Sequence, residues 1–595
     1  MYISELNAEI IRELVLTALG KLKADLVLKN ASLVNVYTSE IIENISIGIK
    51  NGRIAYVGGN VEHLIGSSTR VIDVKGMYVT PGFMDSHIHI ESSMLTPLGF
   101  SEAVLPHGTT AVFVDPHEIA NVLGVKGVEF FIKEALEAPI RIFINVPSCV
   151  PSTPEDTTGA ILGYREVEHL LKNPYTIGLA EVMDFYGVLA LREDIIRKIE
   201  AAHKLGKVVD GHAPSLSGKY LQAYIAAGIS SDHESIEAEE VIEKARLGMY
   251  VMLREGSAWR DLAKTVKAIT EGKIDTRMLL LTSDDRNPYN IVHEGHMDYL
   301  IRKIISLGVD PIKAIQMVTL NIALRFKVDD HLGGIAPGKL ADMVVLDSLD
   351  KVNVKMVFID GKLLAKEGKP LWRVPKGYKA PKHLYGTINI KRKISPEDFK
   401  IKAPIVEGSV KVKVIGIVPE KAVTKKLIMN MHVKNGYILT DTKRDILKIA
   451  MIERYSGNGR VGVGLVHGFG FKYGALASSI AHDSHNILVV GVSGKDMATA
   501  ANKVIEIGGG IVFAADGKIR AAVELPIAGI LSDKPVKEVV EELKKLTLET
   551  KKAGSKLSEP YMTLSILGLI VVPELRITDK GLFDVVSNKF TSLFV

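Results

Sequence analysis

The chain contains one cysteine, Cys149, among 595 residues. A single thiol cannot close an intramolecular disulfide and leaves no CxxC metal site, which suits a reducing compartment. Long apolar runs are missing as well. The most apolar segment, Met562 to Val572, stops at Pro573, far short of the roughly 20 residues that a membrane helix needs. No block of like charge stands out: 74 Lys and Arg face 69 Asp and Glu, a formal net charge of +5. A balance that small, spread along the chain, is no electrostatic footprint for nucleic acid. No secretory leader pattern opens the sequence, because residues 7–22 read as an amphipathic helix with interspersed Glu and Arg. These absences describe a soluble cytoplasmic protein with no nucleic-acid and no membrane partner; a homodimer is the base-rate oligomer.

What is present is ordinary globular composition, 47% hydrophobic and 24% charged. The length exceeds what one core of about 250–300 residues usually holds, so more than one domain is expected. After the opening helix, short alternating runs (Asp25–Leu28, Ala31–Val36, Ile45–Ile49, Arg53–Val57) are separated by turn signals such as Asn51-Gly52. They read as a small antiparallel β domain. Similar runs return at Asp342–Leu346 and Val357–Gly361, so one β domain is expected from both flanks, residues 1–80 and 331–379, with residues 81–330 inserted between them. From residue 380, Pro-containing segments of mixed charge lead into a separate C-terminal α+β domain, 380–595. Its glycine-rich runs show no phosphate-loop pattern.

Within the insert, eight strand-like runs alternate with helix-like stretches: Phe83–Ile90, Thr110–Pro116, Ile140–Val146, Thr176–Val182, Lys207–His212, Ile229–His233, Met249–Leu253 and Met278–Thr282. This order predicts parallel strands with crossover helices, and eight units match an α/β fold of the (β/α)8 barrel type. A doubly wound sheet is the runner-up, but no glycine-rich phosphate fingerprint follows the first strand.

Barrel active sites form where the strands end. His87 and His89 share a face of the first strand, because alternate residues of a strand point the same way. Reading on, Glu181 ends the fourth strand, His212 the fifth, His233 the sixth, and Asp284 follows the eighth. Four imidazoles and two carboxylates could ligate two divalent cations with one carboxylate bridging them, and a pair about 3.5–4 Å apart can share a strongly nucleophilic hydroxide. His117 and Glu118 follow the second strand and face the same pocket in a barrel. His482, Asp483 and His485 are compatible with a further metal site, with lining the barrel mouth, or with a polar turn.

Pro81-Gly82-Phe83-Met84-Asp85-Ser86-His87-Ile88-His89 resembles the first-strand motif of the amidohydrolase superfamily. The continuation Ile90 to Pro97 and the run Asp115-Pro116-His117-Glu118-Ile119-Ala120-Asn121 are similar to the adenine deaminases in particular. That similarity extends over nearly the whole chain, through Gly211-His212-Ala213-Pro214, Ser231-Asp232-His233-Glu234-Ser235 and Thr282-Ser283-Asp284-Asp285 to Ala481-His482-Asp483-Ser484-His485-Asn486. Many binuclear members of the superfamily bridge their metals with a carboxylated lysine; Glu181 stands at that place here, which argues against the lysine-bridged hydantoinase and dihydroorotase branches.

The resemblance implies hydrolytic deamination of adenine to hypoxanthine and ammonia in purine salvage. It implies two divalent metal ions, manganese or iron first and zinc as an alternative. Asp284 would ligate one metal and act as general base and then acid. Glu118 or His117 would meet a ring nitrogen, and Glu91 and Asp285, adjoining ligands near strand ends, are candidates for substrate contact. Deaminases with a Cys-rich zinc signature are a different solution that one cysteine excludes. The rival readings are another amidohydrolase, acting on a cyclic amide or a different purine, and a non-catalytic scaffold that keeps the barrel.

Overall fold

A computed structural model describes residues 6–595; the first five residues of the expected N-terminal β segment lie outside it. The opening helix spans Ala8–Ala18, capped by the Asn7 side chain accepting from the Ile10 amide. Leu26–Asn35, Glu40–Lys50 and Arg53–Gly58 then form an antiparallel meander. The two-residue turn between the last pair is Asn51-Gly52, with φ of 51° and 74°. Positive φ at both positions matches the twist of a tight hairpin, and Asn and Gly are the residues that tolerate it.

The two expected runs at 25–28 and 31–36 prove to be one strand, joined across irregular register at Leu28/Ala31. Tyr78–Pro81, which precedes the insert, pairs antiparallel with Met343–Leu346, which follows it. Strands from both flanks therefore share one sheet, packed around Leu28, Leu33, Ile47, Val79, Val345 and Phe358. The expectation of a purely antiparallel sheet is corrected. Arg70–Asp73 and Tyr78–Pro81 run parallel to Leu26–Asn35, because the chain crosses back through residues 59–69 before each of them instead of reversing in a hairpin.

All eight strand-like runs of the insert form strands. Phe83–Ile88, Thr109–Val114, Arg141–Val146, Thr176–Val182 and Val208–Gly211 make one parallel sheet, and Ser231–Asp232, Tyr250–Arg254 and Leu279–Thr282 another. The sheets meet on both sides. Ser230 donates its amide to the Val209 carbonyl at 3.2 Å, and Ile88 forms a parallel bridge with Asp284. The result is a barrel-like wall of parallel strands. Thr109–Val114 and Arg141–Val146 are buried at every residue, as strands covered on both faces must be.

Met84, Phe113, Phe143, Val208, Met252 and Leu280, from six of these strands, cluster with Phe326. Phe113 stacks between Phe143 and Phe326 at centroid distances of 4.8 and 3.7 Å. Apolar side chains thus fill the strand starts, and chemistry is left to the strand ends.

The C-terminal unit carries a nine-stranded sheet, flanked by helices Gly494–Glu506 and Val536–Lys552. It rests on the barrel mouth. Ser532 donates to the Met94 carbonyl at 2.8 Å, and Asn486 Nδ2 to the Thr157 carbonyl at 2.8 Å. The apolar run Met562 to Val572 folds as the end of helix Pro560–Ser565 and a following turn at Ile566–Gly568. Among the described residues, no helix is long and apolar enough to cross a membrane.

Candidate metal centre

His87 sits near the end of Phe83–Ile88 and His89 just beyond it, and the pleat turns both rings to one side, with their Nε2 atoms 3.1 Å apart. His89 Nδ1 lies 3.0 Å from the Asp115 carbonyl. That contact places the proton on Nδ1 and leaves the Nε2 lone pair for the centre. The His233 ring stacks on His87 at a centroid distance of 4.0 Å.

Glu181 divides the cluster. Its Oε1 lies 3.8 Å from His87 Nε2, 3.3 Å from His89 Nε2 and 3.3 Å from His117 Nδ1. Its Oε2 lies 2.6 Å from His212 Nδ1 and 3.2 Å from His233 Nε2. A carboxylate whose two oxygens face two sets of nitrogens has the disposition of a bridging ligand.

Asp284 brings Oδ1 to 3.5 and 3.4 Å from the same two Nε2 atoms of His87 and His89. It holds a left-handed backbone, φ 54°. The conformation is locked by its amide donating to the His87 carbonyl and its own carbonyl accepting from the His89 amide, each at 3.1 Å. Strain imposed this firmly gathers at working residues.

Five sets of donor atoms each lie within 4.8 Å of one another: His87 with Glu181 and His233; His87 with His89 and Asp284; His89 with Asp115, His117 and Glu181; His212 with His233 and Glu234; and His117 with Glu118 and Asp483. Buried imidazole lone pairs and carboxylate oxygens converging this closely repel one another unless a cation lies among them. The donor set, nitrogen and oxygen without sulfur, fits divalent ions of the first transition row. All six expected ligands are therefore brought together.

Electrostatics follow from burial and neighbours. Burial pushes the Glu181 carboxyl up, but His233 and His212 outweigh it and hold the group well below the usual carboxylate range. Asp284 is likewise raised by burial and held well down by hydrogen bonds to His87 and His89 and by the Arg254 charge. Asp285 goes the other way, pushed up by burial and by Asp284 beside it.

The remaining expected residues separate. His117 heads helix His117–Leu123 and joins the ligand cluster itself, with Nδ1 3.1 Å from Asp115 Oδ2. Glu118 reaches the cavity wall, but its two oxygens are taken by His482 Nδ1 and His485 Nε2. Asp285 lines the cavity and accepts from the Ser92 hydroxyl. Glu91, expected to touch substrate, is not among the described lining residues; its Oε1 accepts from the Ile119 amide at 3.1 Å, and burial raises its carboxyl to about 7.

Arg254, Glu234 and Trp259 complete the wall and had not been picked out. Arg254 is accessible to sequence reasoning, since it ends the seventh barrel strand, which with the third is one of two strand ends that offer no other candidate. Ala422, Ile566, Leu569 and Val572 close the cavity from the C-terminal unit; nothing in their local pattern marks them.

Residues 78–364 match the amidohydrolase family and residues 421–589 the adenine deaminase C-terminal domain. Over 589 residues the chain is 44% identical to an adenine deaminase of Clostridium botulinum (strain ATCC 19397 / Type A), covering 99% of this chain and 98% of that protein. An adenine deaminase of Moorella thermoacetica is 44% identical over 98% of both chains. One of Staphylothermus marinus is 43% identical over 98% of this chain and 97% of its own.

Proposed function

The chain belongs to the adenine deaminases of the amidohydrolase family, and from that membership we propose how its residues carry the reaction. The enzyme hydrolyses adenine to hypoxanthine and ammonia: water adds at C6, and the exocyclic nitrogen leaves. The observation that carries the reading is the division of the Glu181 carboxylate between two groups of imidazoles, inside a chain related to adenine deaminases from end to end.

His87, His89, Glu181, His212, His233 and Asp284 would hold two divalent cations, manganese or iron before zinc. Bound there, such ions supply Lewis acidity and make water nucleophilic at neutral pH. Asp284 is the general base. Its Oδ1 faces the His87–His89 pair, so a proton taken from the attacking water passes to Oδ1 and then to the purine ring or the departing amino group. His482 is placed to help that departure. Its Nδ1 is engaged by Glu118, which leaves Nε2 for the cavity, and the Glu118 charge overcomes burial to raise the imidazole to about 9. Glu118 thus acts through His482, and Asp285, with its carboxyl raised by burial and Asp284, is placed to share a proton with a ring nitrogen.

The eight parallel strands are taken as one (β/α)8 barrel of residues 81–330, set in a β domain of residues 1–80 and 331–379 and followed by a C-terminal domain of residues 380–595. The protein is placed in the cytoplasm as a homodimer. Ammonia release from adenine after loading with Mn(II), beside adenosine, guanine and dihydroorotate, tests the reading. Turnover of adenine alone is expected; an inert, metal-loaded protein would return the site to the scaffold reading.

A further inference from the structure

We propose that Asp483, from the C-terminal unit, selects the free base over purine nucleosides by accepting a hydrogen bond from the ring N–H that a nucleoside lacks. The proposal rests on the adenine-deaminase reading and names what decides its substrate class.

Asp483 lines the cavity and is 3% exposed. Its Oδ1 lies 3.6 Å from His117 Nε2, whereas its Oδ2 is buried with no hydrogen-bond partner. The other acids on the wall are engaged. Glu181 and Asp284 face the histidines, Glu118 holds His482 and His485, Asp285 accepts from Ser92, and Glu234 accepts from Arg254. Among the described lining residues, Asp483 therefore carries the one carboxylate oxygen that is buried and unpaired.

The side chain has little freedom to seek a partner elsewhere. His482 and His485, on either side, are clamped to Glu118, and Tyr455 donates its hydroxyl to the Ser484 carbonyl at 2.6 Å. A buried acceptor fixed in this way waits for a donor, and leaving it unpaired is costly. Adenine brings a ring donor, N9–H, or N7–H in its other tautomer. In adenosine N9 carries the sugar, so the donor is lost and the carboxylate meets carbon. A site built to pair a substrate N–H rejects the analogue without it far more strongly than an apolar pocket rejects extra bulk.

Asp483→Ala and Asp483→Asn, each loaded with Mn(II), test this against adenine as substrate and 9-methyladenine as competitive inhibitor. Asp483→Ala should lower kcat/KM for adenine roughly 100-fold, the worth of a hydrogen bond to a charged group, and should tighten inhibition by 9-methyladenine. Asp483→Asn keeps an acceptor oxygen and should recover part of the loss. Metal content should equal that of the parent protein in both. An unchanged preference between the two bases, an equal loss on both, or a fall in bound metal would each overturn the proposal. If the parent protein releases no ammonia from adenine, the functional reading fails first, and the two failures are told apart.

Discussion

Arg254 Nη1 lies 3.1 Å from Asp284 Oδ2, while Asp284 Oδ1 faces His87 and His89. One carboxylate is thereby split between a structural cation and the centre. The guanidinium is itself held by Asp261 Oδ2 at 2.9 Å and by Glu234, so it cannot turn away. Arg254 fixes the orientation of Asp284.

Replacing Arg254 with Met should free Asp284 to rotate both oxygens toward the histidines. The expected result is a fall in kcat of roughly 100-fold, the scale of a small misplacement of a reacting group, with bound metal unchanged. Steady-state kinetics beside metal analysis checks it; loss of metal in step with activity would make Arg254 a support for ligation instead.

Glu181→Gln keeps the shape but removes the charge that faces both imidazole groups. Bound metal should fall below about two equivalents and ammonia release with it. A variant that retained full metal would show that Glu181 does not bridge.

Lys244 Nζ is fully buried, 2.7 Å from Asp232 Oδ2 and 3.0 Å from the Ala213 carbonyl, beneath His212 and His233. Lys244→Met leaves Asp232 as an uncompensated buried charge, a loss of about 3–5 kcal/mol. Denaturant unfolding should show that loss, whereas a near-neutral effect would mean that the Ala213 amide and the Ser235 hydroxyl suffice to hold the Asp232 charge.

Glu134 pins the barrel to the segment after the β sheet: Oε2 accepts from the Leu98 amide at 3.2 Å and Oε1 from the Tyr378 hydroxyl. Burial raises its carboxyl to about 7, above the ordinary value near 4.3 in an unfolded chain. A folded-state pKa above the unfolded one favours the fold at low pH, and the advantage is lost as pH rises through 7. Glu134→Gln should therefore gain Tm relative to the parent between pH 5 and pH 8. A difference that does not change with pH would remove burial of the charge as the cause.

The sequence by itself determined the strands of the barrel-like wall and the imidazole and carboxylate side chains at their ends. Fully buried parallel strands must be continuous apolar runs, and a barrel must put its chemistry where those runs end, so His87, His89, Glu181, His212, His233 and Asp284 were legible from local pattern alone. The tertiary structure alone decided what lies around them. Glu118 is sequestered by His482 and His485, some 360 residues further along the chain, and Glu91 is turned to a backbone amide. Arg254 is aimed at Asp284, and Ile566, Leu569 and Val572 seal the cavity. These are contacts between segments apart in sequence, the Glu118 and cavity-sealing ones made by the C-terminal unit on the barrel mouth and the Glu91 and Arg254 ones made between neighbouring strand ends. Periodicity reports which face of an element is buried, and carries no information about which element will cover it.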